Sequence, residues 1–278
     1  MSPFVLSKET PYFYTPGLRQ AFQGVAAPTF DFATYNMHFG KHPEELARTI
    51  LSHPRLSTCD IIAIQEIEAL EREKTPRIEI IARRCGFYCV YAPARNEKRQ
   101  GSRATHGLAI LSKHPLSDID VFELPRYELG PKTRRRICVT AKANIGGEQV
   151  RIYNAHLDTR ITAAERIAQL EPIVRDAKRY PDERVIIAGD INTIPSLRFQ
   201  RSSLPLWRLG QRVVIDAYMR ENGYAFPSLG RKEYTMRSGI KMMLDAVYAK
   251  NLSIQDSAIE YDIKSSDHFP LVARIGIK

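Results

Sequence analysis

From residue 29 onward the chain alternates short apolar runs with stretches whose apolar positions fall three and four apart, the signatures of strands and helices. FDFATYNMH reads as a strand, and HPEELARTILSHP as a helix with acids in its first turn and Leu46 and Ile50 on one face. CDIIAIQE is a continuous apolar run, as a strand covered on both faces requires. TPRIEIIARRCG predicts a second helix, with Thr75 as cap, Pro76 at its first position and Gly86 as terminator. A β-rich block follows: GFYCVYAP, HGLAILSK, LSDIDVFELP, RRRICVTAKAN and EQVRIYNAHL, the last two joined at Ile145-Gly146-Gly147 as a hairpin. Thr162 and Glu165 have capping-box spacing and open a third helix to about Lys178, with Ile167, Leu170, Val174 and Ala177 as its apolar stripe. ERVIIAGD, KMMLDAVYAK and HFPLVARIGI read as strands and RVVIDAYMRENG as a helix. Many strands with few helices at intervals predict an α/β (α+β) sandwich rather than a parallel βαβ wheel.

Residues 1–28 are rich in Pro and aromatics with little periodicity, and read as a leader packed on a domain spanning 29–278. At 278 residues, with 44% hydrophobic and 26% charged positions, the chain is ordinary for a globular domain, which excludes wholesale disorder. No apolar run approaches the roughly 18 residues of a membrane helix. The opening segment MSPFVLSKETPYFYTPG lacks a basic region followed by an apolar core, so a cytoplasmic location is expected. The net charge of +10 favours anionic partners. Cys59, Cys85, Cys89 and Cys138 lie in apolar stretches without CxxC spacing, and are expected to be buried free thiols in a reducing compartment rather than zinc ligands.

Candidate chemistry sits where the apolar strands stop. TYN ends at Asn36, IQE at Glu66, NAHLD at His156 and Asp158, and AGDIN at Asp190 and Asn192; SSDH places Asp267 and His268 just before the last strand. Carboxylate and carboxamide oxygens at the ends of buried strands suit a hard cation such as magnesium. Ligands in layered α/β proteins commonly lie beyond strand ends. Any one cluster is compatible with an ordinary turn; five in one chain carry the signal.

This ordered set resembles the endonuclease/exonuclease/phosphatase superfamily, whose members include pancreatic-type deoxyribonuclease, apurinic endonucleases, tyrosyl-DNA phosphodiesterase of the second type, sphingomyelinases and inositol polyphosphate 5-phosphatases. TYN (34–36), IIAIQE (61–66), GLAILSK (107–113), YNAHLDT (153–159), VIIAGDIN (185–192), LDAVYA (244–249) and SSDHFPL (265–271) carry the resemblance over roughly residues 29–278. It implies a four-layer αββα sandwich of two mostly antiparallel sheets flanked by helices, with the site at one edge of the sheets. It further implies Glu66 and Asn36 as metal or phosphate ligands, with Asp267 contributing to the metal. Asp190 would orient or deprotonate the attacking water, and Asn192 donate to a phosphate oxygen. His156 would donate to the scissile phosphate or stabilise the leaving oxygen, and His268 stand charged beside the phosphate. Asp245, in the apolar run MMLDAVY, is the natural orienter of His268, since a bare carboxylate there is costly to bury.

Apurinic enzymes carry an acid two residues past the strand-end Asn, where His38 stands here, and a tyrosine in place of His156; the first departure favours one magnesium ion, with manganese as a substitute. Two basic segments, RNEKRQGSR (95–103) and KTRRR (132–136), precede strands. Arg135 or Arg136 can reach phosphate through a bidentate guanidinium, with Asp158 assigned beside them. The expected activity is that of a Mg2+-dependent phosphodiesterase, a nuclease or DNA-end-processing enzyme acting as a monomer on an anionic phosphodiester, with nucleic acid favoured by the charge. The alternative is a phosphoinositide phosphatase or sphingomyelinase-like lipid phosphodiesterase on the same scaffold. The chain lacks the GNH[DE] and GHxH segments of two-metal phosphoesterases and the HxHxDH of metallo-β-lactamase-type nucleases.

Overall fold

The computed structural model describes residues 12–14, 29–99, 102–130, 133–194, 210–230, 232–237 and 241–277. In chain order the elements are β1 (Tyr12–Tyr14), β2 (Thr29–Phe39), α1 (Pro43–Ser52), β3 (Ile61–Leu70), α2 (Arg77–Cys85), β4 (Tyr88–Arg99), β5 (Ser102–Ser112), β6 (Leu116–Glu123), β7 (Ile137–Ile145) and β8 (Glu148–His156). They continue with α3 (Ala163–Ala177), β9 (Arg184–Asp190), α4 (Gly210–Glu221), β10 (Asp245–Lys250), β11 (Leu252–Ile259) and β12 (Leu271–Ile277). Apart from β1, which pairs with β4, the expected leader lies outside the described residues. So do residues 100, 101 and 132 of the basic segments and the remaining side chains of 95–103.

Among the described residues the strands form a seven-stranded sheet, β1-β4-β5-β3-β2-β12-β11, and a five-stranded sheet, β10-β9-β8-β7-β6. Each is antiparallel except for one central parallel pair, β2 with β3 and β8 with β9. Parallel neighbours need a crossover, and α1 and α3 supply it. Three apolar clusters separate four layers. Phe32, Ile61, Ile110, Val139, Ile152 and Ile186 fill the space between the sheets. Leu46, Ile50, Ile78 and Ile81 of α1 and α2 pack on the outer face of the larger sheet. Leu170, Ile173, Ile215 and Met219 of α3 and α4 cover the outer face of the smaller. The architecture is the αββα sandwich.

Local chemistry explains most boundaries. Thr162 and Glu165 form a reciprocal capping box at the start of α3. Gly146 and Gly147 both have positive φ (61° and 91°), as a two-residue hairpin loop of the primed type demands. Pro76, expected inside the second helix, instead precedes it: it is extended at ψ 142°, and its carbonyl accepts from Glu79 and Ile80, with no side-chain cap from Thr75. The strand expected from Lys241 starts only at Asp245, because the Thr235 hydroxyl takes the backbone N–H of Leu244 and of Asp245. Leu252–Ile259, unread in the sequence, is an edge strand with exposed Gln255 and Asp256. The stripe of α3 includes Ile173 and two fully buried polar residues, Arg166 and Gln169, while Ile167 is only half-buried. Arg166 donates to the carbonyls of Thr159 and Ile161 and to the Gln211 side chain, pinning the loop after β8 to both outer helices. All four cysteines are free, three buried and Cys85 half-buried.

β8 passes close to β9 at Gly189, which pairs with Ala155 at a φ of 137°. A Cβ there would sit 1.9 Å from the Ala155 carbonyl oxygen. Gly189→Ala is expected to cost about 3 kcal/mol or more, a fall in Tm of roughly 6 °C or more by calorimetry. An unchanged Tm would mean the two strands separate freely next to Asp190.

Candidate active site

Strand pairing lays a row of polar residues across one rim of the smaller sheet. His156 at the end of β8 is level with Asp190 at the end of β9, which is level with Asp245 at the start of β10. Directly paired residues project to the same face. All three are almost wholly buried, at 5%, 2% and 0% exposure. The row faces the larger sheet, where the Asn36 amide donates to Asp190 Oδ2 at 3.0 Å and ties the two rims together. Asp190 Oδ1 accepts from the Asn192 backbone N–H, also at 3.0 Å.

Glu66 is not at a strand end; it stands within β3 on a bulge. The pairing of β3 with β5 skips between Ile64 and Ile67, and Glu66 takes a φ of 57°. Ile64 and Ile67 both pack under the outer helices, whereas Gln65 between them reaches inward to Asn154. Glu66 is therefore the extra residue, which the bulge turns into the cleft. The carbonyls loosened by the bulge are taken by the opposite sheet: Asn154 donates to Ile64 O at 2.9 Å and Ala109 O at 2.8 Å, and Gln65 donates to Asn154 and Thr34. Each buried carbonyl left bare would cost about 1–3 kcal/mol, so this network both staples the sheets and fixes Glu66.

Loops complete the rim. His268 is held by Asp245, with Nδ1 2.8 Å from Oδ2, and its Nε2 lies 3.9 Å from Asp190 Oδ2. Its turn is fixed by Ser266, whose hydroxyl donates to Asn36 O and accepts from the His268 N–H. His156 Nε2 is 3.5 Å from Asp190 Oδ2 and 3.9 Å from Glu66 Oε1. At the mouth, half-exposed His38 approaches Asp267 at 3.2 Å and Glu66 at 3.9 Å.

The electrostatics separate these groups. Burial would lower the His268 imidazole, but the charge and hydrogen bond of Asp245 outweigh it and raise the group to about 10, so it is cationic. His156 is driven well below the ordinary imidazole range by burial and by the Arg136 charge, and is neutral. Burial raises the Asp190 carboxyl well above its usual range despite the opposing His268 cation, with Asp245 and Glu66 adding to the rise. Burial acts upward on Glu66 too, yet the surrounding imidazoles of His106, His156 and His268 hold it well below the carboxylate range.

The structure thus brings Asn36, Glu66, His156, Asp190, Asp245, Asp267 and His268 to one cleft. Asn192 borders it, but donates from its side-chain amide to Leu157 O at 2.9 Å. Asp158, assigned with the phosphate-binding arginines, is instead buried behind one of them. Its oxygens accept from Arg136 Nε at 2.8 Å and Gln169 Nε2 at 2.9 Å, so it anchors Arg136 rather than facing an anion. Arg135 is turned toward Glu123 and the carbonyls of Pro93 and Ala94. His106, overlooked in the sequence because it stands inside an apolar β run, lies buried 3.7 Å from Glu66.

A hard divalent cation fits this donor set. Glu66 turns its carboxylate toward the cleft, 3.7 Å from His106 and 3.9 Å from His38 and His156, and His38 bridges it to Asp267. Carboxylate and carboxamide oxygens gathered at one rim are the donors that hard cations take. The Asp190, Asp245 and His268 ligand atoms lie within 4.8 Å of one another, but His268 already spends Nδ1 on Asp245.

Comparison with known proteins agrees with this geometry. The model of the Endonuclease/Exonuclease/phosphatase family matches residues 33–268. A search of curated protein sequences finds no match. Among solved structures, an endonuclease/exonuclease/phosphatase from Beutenbergia cavernae aligns at a TM-score of 0.70 with 16% identity, covering 90% of this chain and 72% of that one. The human Nocturnin catalytic domain, solved with a bound sulfate, aligns at 0.65 with 15% identity over 98% and 97%. A humanized D. rerio TDP2 aligns at 0.60 with 16% identity over 90% and 100%.

Proposed function

Because the chain belongs to the Endonuclease/Exonuclease/phosphatase family, whose members are metal-dependent phosphoester hydrolases, we propose that it is a magnesium-dependent phosphodiesterase acting on nucleic acid. The observation that carries this reading is the convergence of side chains from position 36 to position 268 on a single rim, tied by the Asn36–Asp190 hydrogen bond between sheets. Glu66 holds the cation, with Asn36 and Asp267 beside it; when bound, the cation supplies Lewis-acid neutralisation of charge on a phosphoryl oxygen. Asp190, with each oxygen fixed by one donor, orients the attacking water and takes its proton. Neutral His156 donates from Nε2 toward the phosphate while His268, held cationic by Asp245, places positive charge on the other side of Asp190. Asn192 closes the rim beside Asp190. The +10 charge of the chain favours a polyanionic substrate, so binding should weaken steeply with salt.

The test compares magnesium-supported turnover of bis(p-nitrophenyl) phosphate, single- and double-stranded DNA, a 5′-tyrosyl oligonucleotide and a phosphoinositide, with manganese as the second cation. Nucleic-acid diesters are expected to be cleaved fastest, and EDTA to abolish cleavage. Preference for the inositol lipid over every diester would reverse the assignment.

A further inference from the structure

One buried nitrogen beside the cleft has no part in the chemistry above. The Nε2 of His106, on a residue 5% exposed, has no hydrogen-bond partner among the described residues, and an orphaned buried donor is costly. The group it faces is Glu66, whose Oε2 lies 3.7 Å away. Two other imidazoles approach the same carboxylate, but each has a nearer acid. His38 meets Asp267 at 3.2 Å and His156 meets Asp190 at 3.5 Å, against 3.9 Å to Glu66 for both. Among the described residues the His106 ring approaches no carboxylate but Glu66. The ring is also held in place. His106 pairs with Glu68 across β3 and β5, just past the bulge that turns Glu66 into the cleft. The Phe39 ring packs on it with centroids 5.6 Å apart. Phe39 stands in the left-handed region at φ 73°, its carbonyl accepting from Arg77 Nη1 at 2.8 Å. A non-glycine residue held there is strained, and such strain clusters at ligand sites. Arg77 is itself buried and braced by Glu68 and Glu73, so contacts running from α2 fix the ring against Glu66.

We propose that His106 is a positioning residue for the cation: from β5 it aims Nε2–H at the Glu66 carboxylate and holds it in the orientation that binds the ion. The nitrogen faces the acid rather than the water or the phosphate, so it acts through Glu66. Hydrogen-bonding partners of ligating carboxylates are typically worth about 10–100-fold in metal affinity. This rests on the cation-dependent reading of the cleft, so the main test measures ion binding without turnover.

Manganese would be titrated into the full chain and the free ion read from its EPR signal. His106→Phe and His106→Leu remove the donor but fill the site with apolar volume, whereas His106→Gln retains an N–H. Either apolar variant that folds is expected to bind manganese at least about tenfold less tightly than the unmodified protein, and His106→Gln to stay within about threefold of it. A merely structural role would lower the Tm of the variants and leave the affinity of the folded protein unchanged. Magnesium-supported turnover should show the same split: in the apolar variants the cation concentration for half-maximal rate rises, while kcat at saturating magnesium is kept. Equal or tighter manganese binding in a folded apolar variant, a loss in His106→Gln as large as theirs, or a kcat loss that persists at saturating magnesium would overturn the role. Failure of the unmodified protein to bind manganese would overturn the cation site and this role together. The expected affinities without any cleavage would instead overturn the hydrolytic reading alone.

Discussion

Asp190→Asn is expected to lower kcat for magnesium-supported diester cleavage by about 10³-fold or more, with the protein still folded. Side-chain proton transfer contributes roughly 10²–10⁴-fold, and Asp190 is fixed in the cleft by a donor on each oxygen, from Asn36 and from Asn192. The amide is isosteric but takes no proton from water, and one of its ends meets the Asn36 donor instead of accepting from it. That mismatch costs about 1–3 kcal/mol. Against it stands the relief of a buried charge. Burial raises the Asp190 carboxyl above its unfolded value, so the native state binds the proton more tightly than the unfolded chain does. Ionising it therefore costs stability as pH rises above about 4, and the amide removes that cost. Without divalent cation at pH 7, the melting temperature of the variant should match or exceed that of the unmodified protein while turnover collapses. Turnover within about tenfold of normal would exclude Asp190 as the base.

Most of the sandwich was legible because buried strands announce themselves as apolar runs and the helices carry caps and stripes that match their burial. The strand-end residues His156 and Asp190 were legible for the same reason: a polar residue closing an apolar run has few places to go. Other features were hidden by what periodicity cannot encode. Glu66 reads as a strand end, since nothing in IIAIQEIEAL distinguishes a bulge from continued alternation; the bulge exists because Asn154, on the other sheet, takes the Ile64 and Ala109 carbonyls. Asp158 is a carboxylate next to a catalytic-looking histidine, and only tertiary packing reveals that Arg136 and Gln169 consume both its oxygens. His106 carries no local signal at all. Leu252–Ile259 is an edge strand whose polar middle dilutes its alternation.

Asp245→Asn is expected to lower kcat by about 10³-fold and also to lower stability, which separates it from Asp190→Asn. Asp245 has no exposed surface, and among the described residues one of its oxygens has no hydrogen-bond partner while the other meets the His268 ring. The amide oxygen can still accept from Nδ1, which preserves ring orientation, but the negative charge that keeps the imidazole protonated is gone. Breaking a buried ion pair from one side costs about 3–5 kcal/mol when the remaining charge has nowhere to go; here His268 can shed its proton, so the loss should sit near or below the lower end. Its pH dependence has a definite sign. A histidine raised from 6.5 to about 10 contributes stability that is fully present below about pH 6.5 and is lost as pH climbs through 10. The Tm gap between variant and unmodified protein should therefore be widest near pH 6 and close on the alkaline side. His268→Gln should reproduce the rate loss, and the double variant should be no slower than either single one, because the two residues act as a unit. Independent, additive losses would break the dyad into two unrelated roles.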